Sequence, residues 1–192
     1  NCANSPGGFE HVSDQRGFWN LTKEERHEFW DELYQQPGFA ILAGNFSEIF
    51  FDEKANKEMS DYIAERIRRR VKDPTIAEKL IPKDHGFGTQ RLPLETHYFE
   101  AYNRDNVSLV DITETPIERV TAQGIQTTTA HHALDLIVYA TGFDAITGGY
   151  DNIHIEGTDG QTLGNKWKDS PSTYLGYMTH GFPNLFMVAG PQ

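Results

Sequence analysis

The chain has 192 residues, enough for one full domain or parts of two. Its 28 acidic and 17 basic residues leave a formal charge of −11, which argues against a nucleic-acid or anionic-membrane surface, since either needs a basic face. No apolar run is long enough to span a bilayer, no secretory leader is visible, and the single cysteine, Cys2, permits no internal disulfide, so a reducing, cytoplasmic setting is expected.

Asn1 to Asn20 lacks a clear period and reads as loop. Thr22 and Glu25 then form a capping box, in which each side chain satisfies an orphan backbone N–H. Phe29, Trp30, Leu33 and Tyr34 share one helical face, and Pro37-Gly38 ends the helix. Phe39 to Phe51 reads as short helical pieces. Asp52 caps the next helix, whose buried stripe is Met59, Tyr62, Ile63 and Ile67. The basic run Arg66, Arg68, Arg69, Arg70 and Lys72 lies mostly off that stripe. A solvated helix end, favourable for the dipole, is preferred there over a phosphate site. Asp73-Pro74 restarts a short helix that stops before Pro82.

Gly86-Phe87-Gly88-Thr89-Gln90-Arg91 is a glycine-bearing loop ending in a permanently charged planar group. Taken by itself it supports either a surface ion pair, the commoner outcome, or a ligand-facing charge. It has neither the Lys-Ser/Thr ending of a P-loop nor the spacing of a dinucleotide turn. Leu94 to Tyr102 reads as helical, with Tyr98, Phe99 and Tyr102 as core. Val107–Asp111 reads as a strand, and Ile117–Thr121 and Ile125–Thr129 as a hairpin about Gln123-Gly124. His131 and His132 point to opposite faces if extended, so they make a poor metal pair, and a solvated loop is expected.

Leu136 to Ala140 is a short β-branched and aromatic run that fits a strand buried on both faces, ending at Thr141-Gly142. Ile153-His154-Ile155 reads as a half-buried strand with Asp159-Gly160 as a hairpin-type turn. Trp167 and Tyr174-Leu175-Gly176 read as packing residues, and Gly181-Phe182-Pro183-Asn184 as a turn. Leu185–Val188 reads as a second buried strand closing on Ala189-Gly190-Pro191. Two strands running into glycines resemble the lip of an α/β sheet, where ligands bind beyond strand C-termini. With no initiator Met, and with the chain stopping directly after a strand-like run, both ends look cut, and a piece of a longer protein is expected.

Three segments in order carry a resemblance: DPTIAEKLIPKDHGFGTQRLPLETHYFEAYNRDNVSLVD, DLIVYATGFDAITGG and YLGYMTHGFPNLFMVAGP. Together they resemble the Baeyer–Villiger monooxygenases, class B flavoprotein monooxygenases, from about Phe9 onward. The resemblance implies an α/β fold, part of a flavoprotein with two Rossmann-like dinucleotide-binding domains and a helical insertion. Residues 1–81 would be that insertion in the NADP domain and 82–139 the rest of the NADP domain. Residues 140–142 would be the linker back, and 143–192 a returning part of the FAD domain.

The resemblance also implies FAD and NADPH as cofactors, and O2 and a ketone as substrates. The product would be an ester or lactone, formed by way of a flavin C4a-peroxide. Arg91 matches the family's active-site arginine, a charge that would stabilise an anionic oxygen donor. The residue before it, often Lys in the family, helps hold the NADP 2′-phosphate. Here it is Gln90, which puts NADPH over NADH preference in doubt. Thr141, Gly142, Gly190 and Pro191 are the further cofactor-binding candidates. The sequence lacks a GxGxxG turn and the family fingerprint FxGxxxHxxxW, so the polypeptide alone is expected neither to hold FAD stably nor to turn over. The competing readings are another two-dinucleotide flavin monooxygenase acting on N or S, and a non-catalytic interaction module.

Overall fold

The computed structural model describes residues 11–142, 145–188 and 190–191. They divide into two compact units, one ending at His132 and one beginning at Ala133. Phe143, Asp144 and Ala189, and the first ten residues of the expected N-terminal loop, lie outside the described residues.

The first unit is built on five helices in succession. Helix α1 (Lys23–Gln35) opens with the expected capping box: Glu25 N donates to Thr22 Oγ1 at 3.2 Å, and Thr22 N donates to Glu25 Oε2 at 2.7 Å. Two short helices, α2 (Ala40–Ala43) and α3 (Glu48–Phe51), fill the apolar stretch that follows. Helix α4 (Glu53–Arg70) starts on Asp52, whose carboxylate accepts from Lys54 N and Ala55 N. Helix α5 (Pro74–Leu80) starts on Asp73 with Pro at its first position, and it ends before Pro82. In each case a side-chain oxygen satisfies amides that the helix leaves without partners, a contribution of about 1 kcal/mol per cap.

The stripes expected on α1 and α4 meet. Trp30, Leu33, Met59 and Tyr62 are buried with Phe18, Ala40, Phe46, Ile49, Ala55 and Phe87 in one core. Phe29, Tyr34 and Ile63 are half-buried against it, and Ile67 is buried in an adjoining cluster with Val71 and Ala77. Two polar groups sit inside. Asn45 is fully buried and satisfied, accepting from Trp30 Nε1 at 2.9 Å and donating to the Ile41 carbonyl at 2.8 Å. Arg26 is buried over the Phe18 ring and held by Glu58 through two bonds, at 2.9 and 2.8 Å.

Beyond the helices, α6 (Tyr98–Ala101) is one turn, shorter than the helix expected from Leu94. Tyr98 is half exposed rather than core, while Phe99 packs partly buried against the Ile67 cluster. A small sheet of order β1-β2-β3 follows, from β1 (Ile117–Thr121), β2 (Gly124–Thr127) and β3 (His131–Ala133). The β1–β2 hairpin has the expected register, with Thr121 opposite Gly124 and an irregularity between Ile117 and Arg119. His131 and His132 lie in a strand, not a solvated loop, because β2 offers an edge that they can pair with.

Four expected strands are absent. Val107–Asp111, Leu136–Ala140, Ile153–Ile155 and Leu185–Val188 carry no ladder. Leu136 and Val138 are each 77% exposed, and Val188 is 95% exposed. A strand buried on both faces is defined by its neighbours, and no partner strand for these runs lies among the described residues.

The second unit has two one-turn helices, α7 (Gly148–Asp151) and α8 (Leu163–Lys166). Its small core holds Leu163, Trp167, Phe182 and Met187, so Trp167 packs as expected. Tyr174 and Leu175 are exposed instead, at the turn where Tyr174 bridges Met178. Glu156 bridges Thr162 across the Asp159-Gly160 turn, where Gly160 has φ 71°.

Candidate functional site: an exposed arginine on an anchored loop

The loop from Gly86 to Arg91 is shaped by what its glycines allow. A Cβ on Gly86 would lie 2.1 Å from Asn56 Oδ1. Gly88 has φ 72°, and a Cβ there would lie 2.9 Å from the Phe50 ring. Both positions therefore exclude a side chain, which lets the backbone settle on α3 and α4. Between them Phe87 is buried in the helical core. Its N–H donates to Ser60 Oγ at 2.9 Å, and its carbonyl accepts from Asn56 Nδ2 at 2.8 Å. Thr89 closes a turn on the Gly86 carbonyl through its N–H and its hydroxyl.

Gln90 and Arg91 follow, both exposed. Among the described residues Arg91 has no ion pair or hydrogen bond. The arginines of helices α1 and α4 differ. Arg26 pairs with Glu58, Arg66 with Asp31, Arg68 with Glu78, Arg69 with Glu65, and Arg70 with Glu95 and Glu100. The basic run at the end of α4 is thus neutralised by carboxylates, which agrees with its reading as a solvated helix end and leaves no free cluster for phosphate. Tyr62 lies against Asp31 and Arg66, and burial pushes its hydroxyl well above the usual range.

The chain beyond Arg91 is tied down again. Leu92 is half-buried against the core. Arg70 donates to Glu95 Oε1 at 2.7 Å and to both oxygens of Glu100 at 2.6 and 2.7 Å, with its guanidinium over the Phe99 ring. The bond from Arg70 draws the Glu100 carboxyl down to about 2, far below its ordinary range. Asn103 bonds the Arg70 carbonyl and the Lys72 N–H.

The other expected site residues lie in the second unit. Thr141 and Gly142 are exposed, Gly142 with φ 89° and nothing within 4 Å of where its Cβ would stand. Gly190 packs closely: its N–H donates to the Gly176 carbonyl at 3.0 Å, and a Cβ would meet that oxygen at 2.7 Å. Pro191 is buried, and its carbonyl accepts from Thr173 Oγ1 at 2.5 Å. Sequence reading passed over Asn56, Ser60 and Arg70 as anchors, because polar residues on a helix look like ordinary surface until the loop they hold is seen. No group of three or more His, Cys, Asp or Glu suited to a metal occurs among the described residues. No helix there is long and apolar enough to cross a membrane.

An exposed guanidinium without a counter-charge, beside an amide donor and on an anchored backbone, suits an anion or a centre that becomes anionic. These residues therefore suit a phosphate or another anionic group. They include no glycine-rich strand-to-helix turn to hold a dinucleotide pyrophosphate unaided.

No family profile matches the chain. Among curated proteins it is 51% identical over 184 residues to 2-oxo-Δ3-4,5,5-trimethylcyclopentenylacetyl-CoA monooxygenase of Pseudomonas putida, covering 96% of this chain and 34% of that protein. It is 42% identical over 187 residues to cyclopentanone 1,2-monooxygenase of Comamonas sp. (strain NCIMB 9872), with the same coverage. It is 44% identical over 175 residues to phenazine N-monooxygenase PhzNO1 of Lysobacter antibioticus, covering 90% of this chain and 32% of that one. A crystal structure of OTEMO in complex with FAD and NADP matches with TM-score 0.93 at 49% identity, over 99% of this chain and 35% of that one.

The relatives matched are named monooxygenases, and the fold matched is part of an α/β flavoprotein solved with FAD and NADP. In sequence the chain is similar to a segment of the Baeyer–Villiger monooxygenases. It spans about a third of the length of the curated relatives it matches.

Proposed function

We propose that the chain serves an FAD- and NADPH-dependent monooxygenase that inserts one oxygen atom of O2 beside a ketone carbonyl. The single observation carrying this is Arg91, the unneutralised cation on an anchored loop, at the position that matches the family's active-site arginine. The ketone, O2, NADPH and a proton become an ester or lactone, water and NADP+. FAD, when bound, supplies the reducing equivalents to O2 and presents the activated oxygen. Arg91 opposes the negative charge that develops during transfer with a planar, delocalised guanidinium charge. Exclusion of water around that charge raises its effect. Gln90 offers the nucleotide phosphate an amide hydrogen bond without charge, which leaves NADH admissible beside NADPH. Thr141, Gly142, Gly190 and Pro191 are proposed as cofactor-binding residues, supported at Gly142 by the open space where a Cβ would stand.

The domain assignment is likewise a proposal. Residues 1–81 form the helical insertion, 82–139 complete the NADP domain, 140–142 link back, and 143–192 belong to the FAD domain. The succession of helices α1 to α5, which ends at Leu80, supports the first boundary. A cytoplasmic setting is proposed from the single cysteine.

One relative favours a second reading, oxidation at nitrogen, because phenazine N-monooxygenase is 44% identical to this chain. The full-length flavoenzyme carrying this segment, given 18O2 and NADPH, is expected to label the ring oxygen of the lactone formed from cyclopentanone. Labelled phenazine N-oxide with unchanged cyclopentanone would select the second reading. The chain by itself is expected to bind no FAD, for want of a glycine-rich turn, and flavin absorbance in the purified chain would contradict this.

A further inference from the structure

We infer that Asn56 and Ser60 of α4 are positioning residues for the arginine loop, and that α4 acts as a splint for Arg91. This rests on the proposed role of Arg91. The two side chains are four residues apart, so they share one helix face. From that face they grip the two peptides flanking one residue: Ser60 Oγ takes the Phe87 N–H at 2.9 Å, and Asn56 Nδ2 gives to the Phe87 carbonyl at 2.8 Å. The grip is itself braced. Asn56 Nδ2 also donates to the Ile49 carbonyl at 2.7 Å, and Ser60 Oγ donates back to the Asn56 carbonyl at 2.9 Å. Gly86 leaves room for Asn56 and Gly88 leaves room for Phe50, so the loop and its holders are mutually dependent.

At its far end the same helix holds the chain again, Arg70 binding Glu95 and Glu100. The helix from Asn56 to Arg70 is roughly 21 Å long, and from Ser60 roughly 15 Å. The backbone from Phe87 to Glu95 reaches at most about 26–29 Å. Gln90 and Arg91 therefore ride on a span with room to bow but not to leave the helix. A charge must meet the reacting centre within a fraction of an ångström to be effective, and a displacement of about 1 Å costs on the order of 100-fold in rate. Side-chain anchors on a long helix meet that demand better than a free loop does.

The test uses the full-length flavoenzyme with Ser60→Ala, Ser60→Thr, Asn56→Ala and Arg91→Ala. Hydrogen exchange of the 86–91 peptide is read against that of α1. In Ser60→Ala and Asn56→Ala the loop is expected to exchange at least about tenfold faster while α1 is unchanged. The kcat for ester is expected to fall about 10- to 100-fold with ketone KM held, and more NADPH is expected to be spent without product. Ser60→Thr, which keeps the hydroxyl, restores both readouts. Unchanged loop exchange, or faster exchange with undiminished kcat, overturns the inference while Arg91→Ala still abolishes ester formation. Undiminished ester formation in Arg91→Ala overturns the functional reading itself.

Discussion

Gln90 and Arg91 are neighbours with different demands on the rest of the chain. Arg91 needs only to be left unpaired, beside helices α1 and α4 whose arginines are each matched to a carboxylate. In the proposed role Gln90 faces a phosphate, and the strength of such a contact depends on the charge of the side chain that makes it. A hydrogen bond to a charged group adds ~1.5–3 kcal/mol, more than a neutral one. Exposure on the loop moderates that difference. Gln90→Lys in the full-length enzyme is therefore expected to raise the NADPH-to-NADH ratio of kcat/KM about tenfold, mostly through KM for NADPH. An unchanged ratio would remove Gln90 from the nucleotide site. The sequence singles out both residues because a motif carries them. Asn56 and Ser60 are not singled out, since their meaning lies in a loop some thirty residues away, at |i−j| of 31 and 27. Nor is Arg26, a charge buried on the apolar side of α1, whose partner Glu58 lies on another helix.

At the scale of elements, what read correctly was local. Capping residues, helix-stopping prolines and the turn at Gly124 act within a few residues of themselves, and α1, α4, α5 and the β1–β2 hairpin all stand where those signals put them. The apolar runs around Val138 and Phe186 read as buried strands, yet neither carries a ladder, and Val138, Phe186 and Val188 lie exposed while Met187 is buried in the small core. Strand burial depends on neighbours distant in sequence, so periodicity alone could not supply it.

The joint between α4 and α6 makes a prediction with a definite sign. Arg70 holds Glu100 ionised down to about 2. A carboxyl depressed in the folded state stabilises at pH above its ordinary pKa of about 4.3, and the contribution is lost as pH falls toward 2. Glu100 is 41% exposed, so solvent screens the pair and the effect is modest. Glu100→Gln is expected to lower thermal stability near neutrality and to leave it nearly equal to wild type near pH 2. A difference that grows toward low pH would contradict this pairing.

For the molecule as a whole, the exposed apolar residues and the comparisons agree. Leu136, Val138, Tyr139, Phe186 and Val188 present apolar area to water, more than a folded surface ordinarily leaves in such short runs. The chain spans about a third of the length of its curated relatives, and the proposed oxygenation calls for cofactor-holding turns that this sequence does not contain. In this account the chain contributes to the enzyme an anchored positive charge, carried by a helix-braced loop.

Single-turnover ester formation by the full-length, FAD-loaded enzyme with Arg91→Ala tests that claim most directly. Removing one group that opposes developing negative charge typically costs about 100- to 1000-fold, so a loss of that order is expected, with flavin reduction by NADPH still observed. Ester formed as fast as by the wild type would contradict the account.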